Sequence, residues 1–321
     1  MVRGRARSPK VGLFQEGSHR IVDIPHCPIH HRAINEVAAE LKRAIREIGV
    51  APYAERPHRG ALRAVQVVVE RTTGLVQVTL VGSDPRPDPL EPLAERLFHA
   101  MPDGLKSLWW NGQPDRTNAI LGSRWHHWRG AETVVEPVAG VDVHYPPGAF
   151  GQSHPEIAGR IAESVQARVA DGSRVVELYA GCGALTLGLL PRVAALHLNE
   201  RDEHGLRGLE RSLAGRPARE RARCRVWPGP AEAALDALAD ADVVVVDPPR
   251  RGLEAAVRDA LGRASASKLI YVSCGIESLV RDAAVLETGG WWLSDLSAFD
   301  AFPYTAHVES LAVFERRAAH A

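Results

Sequence analysis

Val243-Val244-Val245-Val246-Asp247-Pro248-Pro249-Arg250 is an unbroken run of four β-branched apolar residues that stops at a carboxylate and a pair of prolines. A strand that is apolar on both faces belongs inside a parallel sheet covered by helices on either side. The prolines fix φ and lack backbone donors, so the chain leaves the sheet there as a rigid extended tip with Asp247 at the carboxyl edge. Outward from this strand the same alternation repeats. Helices are expected over 154–169, 184–190, 203–213, 230–239, 254–264 and 276–288, and strands over 174–179, 194–199, 223–227, 242–246 and 268–273. Two last strands, near 291–297 and 308–315, are joined by a loop containing Pro303 that is too short for a helical crossover, so they should pair antiparallel. A doubly wound α/β domain over 141–321 follows.

Before residue 140 the pattern is mixed. A short strand at His19–Ile24 precedes an amphipathic helix at Ala33–Ile48. Two β-rich runs, Ala61–Arg71 and Leu75–Val81, flank Thr72-Thr73-Gly74 and read as a hairpin. A helix at Pro89–His99 and a strand at Leu105–Trp110 complete a small α+β domain over 1–140. The chain shows no internal repeat.

At 321 residues, 45% hydrophobic and 24% charged, the chain can build two cores. No apolar run approaches the roughly 18 residues of a membrane span, so no membrane partner is expected. The basic segment Met1–Lys10 is not followed by an apolar stretch, which argues against a secretory signal and for a cytoplasmic location. Cys27, Cys182, Cys224 and Cys274 are scattered and read as reduced thiols. With 39 basic and 39 acidic residues, any contact to nucleic acid must come from a local patch.

Glu177-Leu178-Tyr179-Ala180-Gly181-Cys182-Gly183 ends a buried strand and opens toward a helix, at the edge where such sheets bind nucleotides. Alone, the turn suits a nucleotide cofactor or a tight connection equally. Glu200 closes the next strand, where an acid can accept ribose hydroxyls, as it would also in an NAD enzyme. Cys274 ends the strand after Asp247 and should lie beside it. By itself it reads as a buried inert thiol, although strand-end cysteines near a ligand crevice are better placed to react. Glu309 opens the final strand and could be a surface acid.

Taken together, Gly-Ala-Phe-Gly-Gln (148–152), Glu-Leu-Tyr-Ala-Gly-Cys-Gly (177–183), Asp-Pro-Pro-Arg (247–250), Tyr-Val-Ser-Cys (271–274) and Phe-Pro-Tyr-Thr-Ala-His-Val-Glu (302–309) resemble the RNA 5-methyluridine (uracil-C5) methyltransferase family in order and spacing. The likeness covers 140–316 closely and 10–140 loosely, through Gly-Ser-His-Arg-Ile-Val-Asp-Ile-Pro-His-Cys-Pro (17–28), whose spacing is nearer the ribosomal RNA branch. It implies a class I S-adenosylmethionine-dependent fold, Rossmann-like, with seven strands and an antiparallel last strand. It further implies Cys274 as the nucleophile that adds to C6 of uracil, Glu309 as the base that removes the C5 proton, and Asp247 as a contact to the uracil edge. Gln152, Tyr179, Gly181, Glu200 and Asp247 would contact S-adenosylmethionine, with Phe150 packed nearby. The implied partner is RNA, ribosomal in preference to transfer RNA, and a monomer is expected.

Several features depart from the family. Many members carry an N-terminal barrel and some an iron-sulfur cluster on four cysteines; neither is expected here, where Cys27 alone resembles a cluster ligand. His26, His30 and His31 with Cys27 do not make a full zinc set, and no metal is expected. Ala184 and Gly275 stand where the family commonly has Asn. RNA grip is therefore expected from the small domain and a basic arm of Arg3, Arg5, Arg7 and Lys10, with Trp109, Trp110, Trp125 and Trp128 as stacking or, more simply, packing residues. Two rival readings remain: amino methylation of a base, against which Arg250 argues because such enzymes place an aromatic residue after the double proline, and an RNA-binding protein without activity.

Overall fold

The computed structural model describes residues Met1 to Arg316. By its internal contacts the chain divides into residues 1–134 and the residues from 135 onward.

In the first unit β1 (Val2–Arg5), β2 (Ser8–Phe14) and β3 (Ile21–Asp23) form an antiparallel three-stranded sheet. The segment expected as a free basic arm is thus a hairpin, and the reason is apolar: Val2 is fully buried and packs with Val11 in the core. Arg3 is buried too, paired with Glu55 at 2.8 Å and donating to the carbonyls of Val2 and Arg63, so it is not available to a phosphate. Helix α1 (Arg32–Ile48) starts where His31 Nδ1 accepts from the Ala33 amide and ends at Gly49, whose φ of 79° only glycine adopts freely. Its Val37, Leu41, Ala44 and Ile45 follow helical spacing and face the core. The strands β4 (Leu62–Val69), β5 (Val76–Gly82), β6 (Leu105–Gly112) and β7 (Arg124–Gly130) form a sheet in that order, with β5 and β6 parallel across α2 (Glu91–Ala100). β7 lies beyond the elements expected from sequence. Of the tryptophans, Trp110 is buried in the core and Trp109 stacks on His127 at 4.1 Å.

In the second unit β8 (Val134–Val138) pairs with β9 (Val141–Tyr145) ahead of α3 (Pro155–Ala167). There follow β10 (Arg174–Leu178), β11 (Ala195–Glu200), α4 (Glu203–Ala214), α5 (Ala218–Arg221), β12 (Cys224–Pro228) and β13 (Val243–Val246). The chain continues through α6 (Ala255–Arg263), β14 (Lys268–Ser273), α7 (Ile276–Thr288), β15 (Trp291–Phe299) and β16 (Glu309–Arg316). The sheet order is β12-β11-β10-β13-β14-β16-β15, parallel up to β14, with β16 antiparallel to both neighbours. This is the seven-stranded sheet expected from the sequence. Val243 and Val245 face one apolar layer with α3, while Val244 and Val246 face the other with α6 and α7. Burying each such side chain contributes roughly 1.5–3 kcal/mol, which explains the four-valine run.

Two expected helices differ. Residues 184–190 form turns with a 3-10 segment only at Leu187–Leu189, between the tight glycine turn at Gly183 and Pro191. Ala231–Asp240 is also 3-10, and its buried Ala231, Ala234 and Ala237 recur at the three-residue spacing that this helix aligns. Among the described residues no helix is long and apolar enough to cross a membrane.

Candidate active site

The order of strands reverses between β10 and β13, and the crevice beyond their carboxyl ends is where the expected site residues gather. After Leu178 the chain turns through Tyr179 at φ 65°, Gly181 at φ 55° and Gly183 at φ 88°. A Cβ on Gly183 would lie 2.5 Å from Leu187 Cδ1, so the turn must close on glycine there. A Cβ on Gly181 would meet nothing within 4 Å, because that position faces open space. Tyr179 is a non-glycine residue in left-handed backbone, held by a hydrogen bond from its hydroxyl to Glu254.

Gln152, Tyr179, Gly181 and Asp247 line one pocket, with Phe150, Ile161, Leu185 and Val272 as apolar walls. Glu200 stands behind the turn and does not line this pocket. Its Oε2 accepts from the Gly181 amide at 2.7 Å and its Oε1 from the amides of Arg201 and Asp202. Glu177, which the sequence reading passed over, also lines the pocket. It is fully buried, accepts a hydrogen bond from Thr186, and leaves Oε1 without a partner. Burial pushes its pKa up to about 8 against the Thr186 bond, with the charges of Asp247 and Glu200 adding to the rise. The signal was present: an acid inside the apolar strand Val175-Val176-Glu177-Leu178 is costly unless it has a task.

Cys274 lies one residue past β14 and is half-buried. The last pair of the β14–β16 ladder joins Ser273 to Ser310, so Cys274 and Glu309, the next residues along each chain segment, lie at the same end of the sheet. Glu309 is 2% exposed, which removes the surface-acid alternative. Gln152 hydrogen-bonds its carboxylate, yet Oε2 has no partner. Burial raises the Glu309 pKa, opposed by Gln152 and by the charge of Arg250. Asp247 is pushed up to about 7 by burial and then by the Glu309 charge. The Cys274 thiol is raised first by burial and next by Glu309, with Asp247 adding a smaller share, while a hydrogen bond from Arg250 works the other way.

Thiol and carboxylates thus act on one another at the carboxyl edge of the sheet. Asp247 faces the first pocket, whereas Cys274 lines a second with Arg250, Arg281 and His307. Asp282 on α7 fixes this geometry. Fully buried, it accepts from Tyr271 Oη and the Leu253 amide, both at 2.8 Å, and from Arg258 at 3.0 Å. One carboxylate therefore ties the end of the Asp247–Arg250 tip to β14 and α7. Gly275 fits its place as well, since a Cβ there would press within 3.1 Å of Ser278 Oγ and 3.3 Å of the Arg250 carbonyl.

A family model described as tRNA (uracil-5-)-methyltransferase matches residues 231–317. A protein of Protochlamydia amoebophila described as an uncharacterized RNA methyltransferase is 31% identical over 98% of this chain and 84% of its own length. A second, from Halalkalibacterium halodurans, is 31% identical over 95% of this chain and 67% of its own. The crystal structure of Pyrococcus abyssi tRNA (uracil-54, C5)-methyltransferase, in complex with S-adenosyl-L-homocysteine, superposes with a TM-score of 0.79 at 25% identity, covering 94% of this chain and 71% of that one. With that extent of shared sequence and fold, the chain belongs to the RNA (uracil-5-)-methyltransferase family.

Proposed function

We propose that this chain forms 5-methyluridine in RNA, with S-adenosylmethionine as donor and Cys274 as a transient covalent catalyst. The observation that carries the reading is a half-buried thiol acted on by a buried, partly unsatisfied carboxylate at the same end of the sheet, Cys274 with Glu309. The first pocket fits the donor: open space faces Gly181, apolar walls flank it, and the Glu177 Oε1 lone pairs lack a partner. Gln152, Tyr179, Gly181 and Asp247 would hold the donor, and Glu200 would act through the turn that it caps. When bound, S-adenosylmethionine supplies an electrophilic methyl group.

C5 of uracil is a weak nucleophile, and the residues of this chain answer that problem. The Cys274 thiolate adds to C6, its sulfur electrons forming the C–S bond as the C5–C6 double bond shifts into an enolate whose C5 takes the methyl. Glu309 then removes the C5 proton, the double bond reforms, and the thiolate leaves C6. Asp247 orients the uracil edge, and its raised pKa suits a carboxyl that can donate as well as accept. The target uridine must leave its stack to reach the thiol.

The ribosomal reading rests on the spacing of residues 17–28. The transfer RNA reading rests on the Pyrococcus abyssi neighbour, whose description names uracil-54 of tRNA. Nucleoside mass spectrometry of ribosomal and transfer RNA from a deletion strain, before and after treatment with the purified protein and S-adenosylmethionine, separates them. New 5-methyluridine in ribosomal RNA is expected. Its appearance in transfer RNA selects the second reading, and a methyl on an exocyclic nitrogen removes both.

A further inference from the structure

The cavity on which Cys274 opens carries two guanidinium groups. Arg250, Arg281 and His307 line it, and Glu277 is the one acid among its lining residues. The Arg250 guanidinium acts on the Cys274 thiol and lowers its pKa. Arg281 sends Nη2 to the Arg251 carbonyl, and its Nε lies 3.8 Å from Asp282, a carboxylate already engaged by Tyr271, Leu253 and Arg258. These contacts hold the guanidinium at the wall, and among the described residues its Nη1 has no protein acceptor.

Arg281 has no part in forming or breaking the C–S bond or in moving the C5 proton. The position of the nucleophile says what such a cation would meet. C6 of uracil is bonded to N1, the atom that carries the ribose, and in the anti conformation the C6 edge lies over the 5′ side of the sugar. A thiol that reaches C6 is therefore a near neighbour of that nucleotide's own 5′ phosphate. A phosphodiester offers charged acceptors that match the guanidinium fork. We infer that Arg281, with Arg250 beside the thiol, receives the phosphate on the 5′ side of the target uridine, so that the site grips a nucleotide and not a bare base. The inference rests on the uracil-C5 reading and adds to it a contact that positions the substrate.

The test is alkylation of Cys274 in the full chain by iodoacetamide, followed by mass spectrometry of the Cys274 peptide, with uridine, uridine 5′-monophosphate or inorganic phosphate as protectant. The nucleotide is expected to protect at about tenfold lower concentration than the nucleoside. In Arg281→Gln this preference should fall to near unity, and Arg281→Lys should recover part of it. Reaction with anionic iodoacetate relative to neutral iodoacetamide should also drop several-fold in Arg281→Gln. Equal protection by uridine and its monophosphate in the wild-type protein overturns the phosphate contact and leaves the uracil site standing. So does a folded Arg281→Gln variant that keeps the wild-type preference. Protection by phosphate and nucleotide alike, with none by uridine, supports the anion contact and counts against the uracil reading instead. If no protectant works, an unchanged iodoacetate ratio in Arg281→Gln overturns the inference and a lowered ratio upholds it.

Discussion

Cys274 directly follows Ser273, whose pairing with Ser310 closes the β14–β16 ladder, and Glu309, the first residue of β16, acts electrostatically on its thiol. The proposed nucleophile and the proposed base thus sit at the same end of two neighbouring strands, one just past β14 and the other opening β16.

The first prediction separates their roles. Cys274→Ala should abolish methyl transfer. Glu309→Gln should slow turnover by at least about a hundredfold while leaving capture of RNA intact, so a protein–RNA species should survive on a denaturing gel. Undiminished activity of Cys274→Ala sinks the covalent route.

The second concerns pH. The reacting form of Cys274 is the thiolate, so whatever raises its pKa moves its alkylation profile to higher pH. Burial and the Glu309 charge raise it, and Arg250 lowers it. Glu309→Gln should accordingly shift the iodoacetamide profile to lower pH, and Arg250→Gln to higher pH. Coincident profiles for the three proteins would show that these charges do not act on the sulfur.

Glu177 gives a stability prediction. Its carboxyl titrates near 4.5 when unperturbed and at about 8 in the folded chain. Between these values the folded state holds the extra proton, so stability should fall as pH rises through that window and level off above it. Glu177→Gln should flatten the fall, which amounts to a few kcal/mol. Thermal melts of both proteins without cofactor at pH 5 and pH 8 measure it, and parallel losses in both would rule it out.

The two glycines of the turn should fail differently. Gly183→Ala forces a side chain into left-handed backbone and against Leu187 and Leu209, and should cost about 2–4 kcal/mol of stability. Gly181→Ala has room and should lose only about 1–2 kcal/mol. Its Cβ projects into the space assigned to the donor, however, so calorimetry should show S-adenosylmethionine binding weakened about tenfold or more. Equal affinity in Gly181→Ala would move the donor elsewhere.

Asp282 tests the frame behind the site. Asp282→Ala strands Arg258, Tyr271 and the Leu253 amide, and should cost about 3–5 kcal/mol. A melting temperature close to wild type would contradict this.

Much of this was legible in the sequence because the second unit obeys simple periodicities. Four consecutive valines, repeated helix-strand alternation and the Pro303 loop specify a parallel sheet with an antiparallel end, and the residues at strand ends then fall at one edge by topology. What escaped the reading depended on partners distant in the chain. Arg3 looks like part of a basic arm until Glu55 and the Arg63 carbonyl are beside it. That Glu200, expected to contact the cofactor, also caps the turn shows only once the Gly181 amide is seen beside its Oε2. Asp282 lies in an ordinary helix, and only the fold shows that it clamps the Asp247 tip.

The placement of β16 between β14 and β15 has a consequence for how the enzyme fails. Among the described residues β15 pairs with no other strand, so it joins the sheet only when β16 does. With Glu309 at the first position of β16, a protein whose sheet is still open has a thiol but not the group that frees the product. On the proposed roles, a half-formed molecule able to seize RNA in that state would be a suicide trap, and having the same strand complete both sheet and site keeps that interval short.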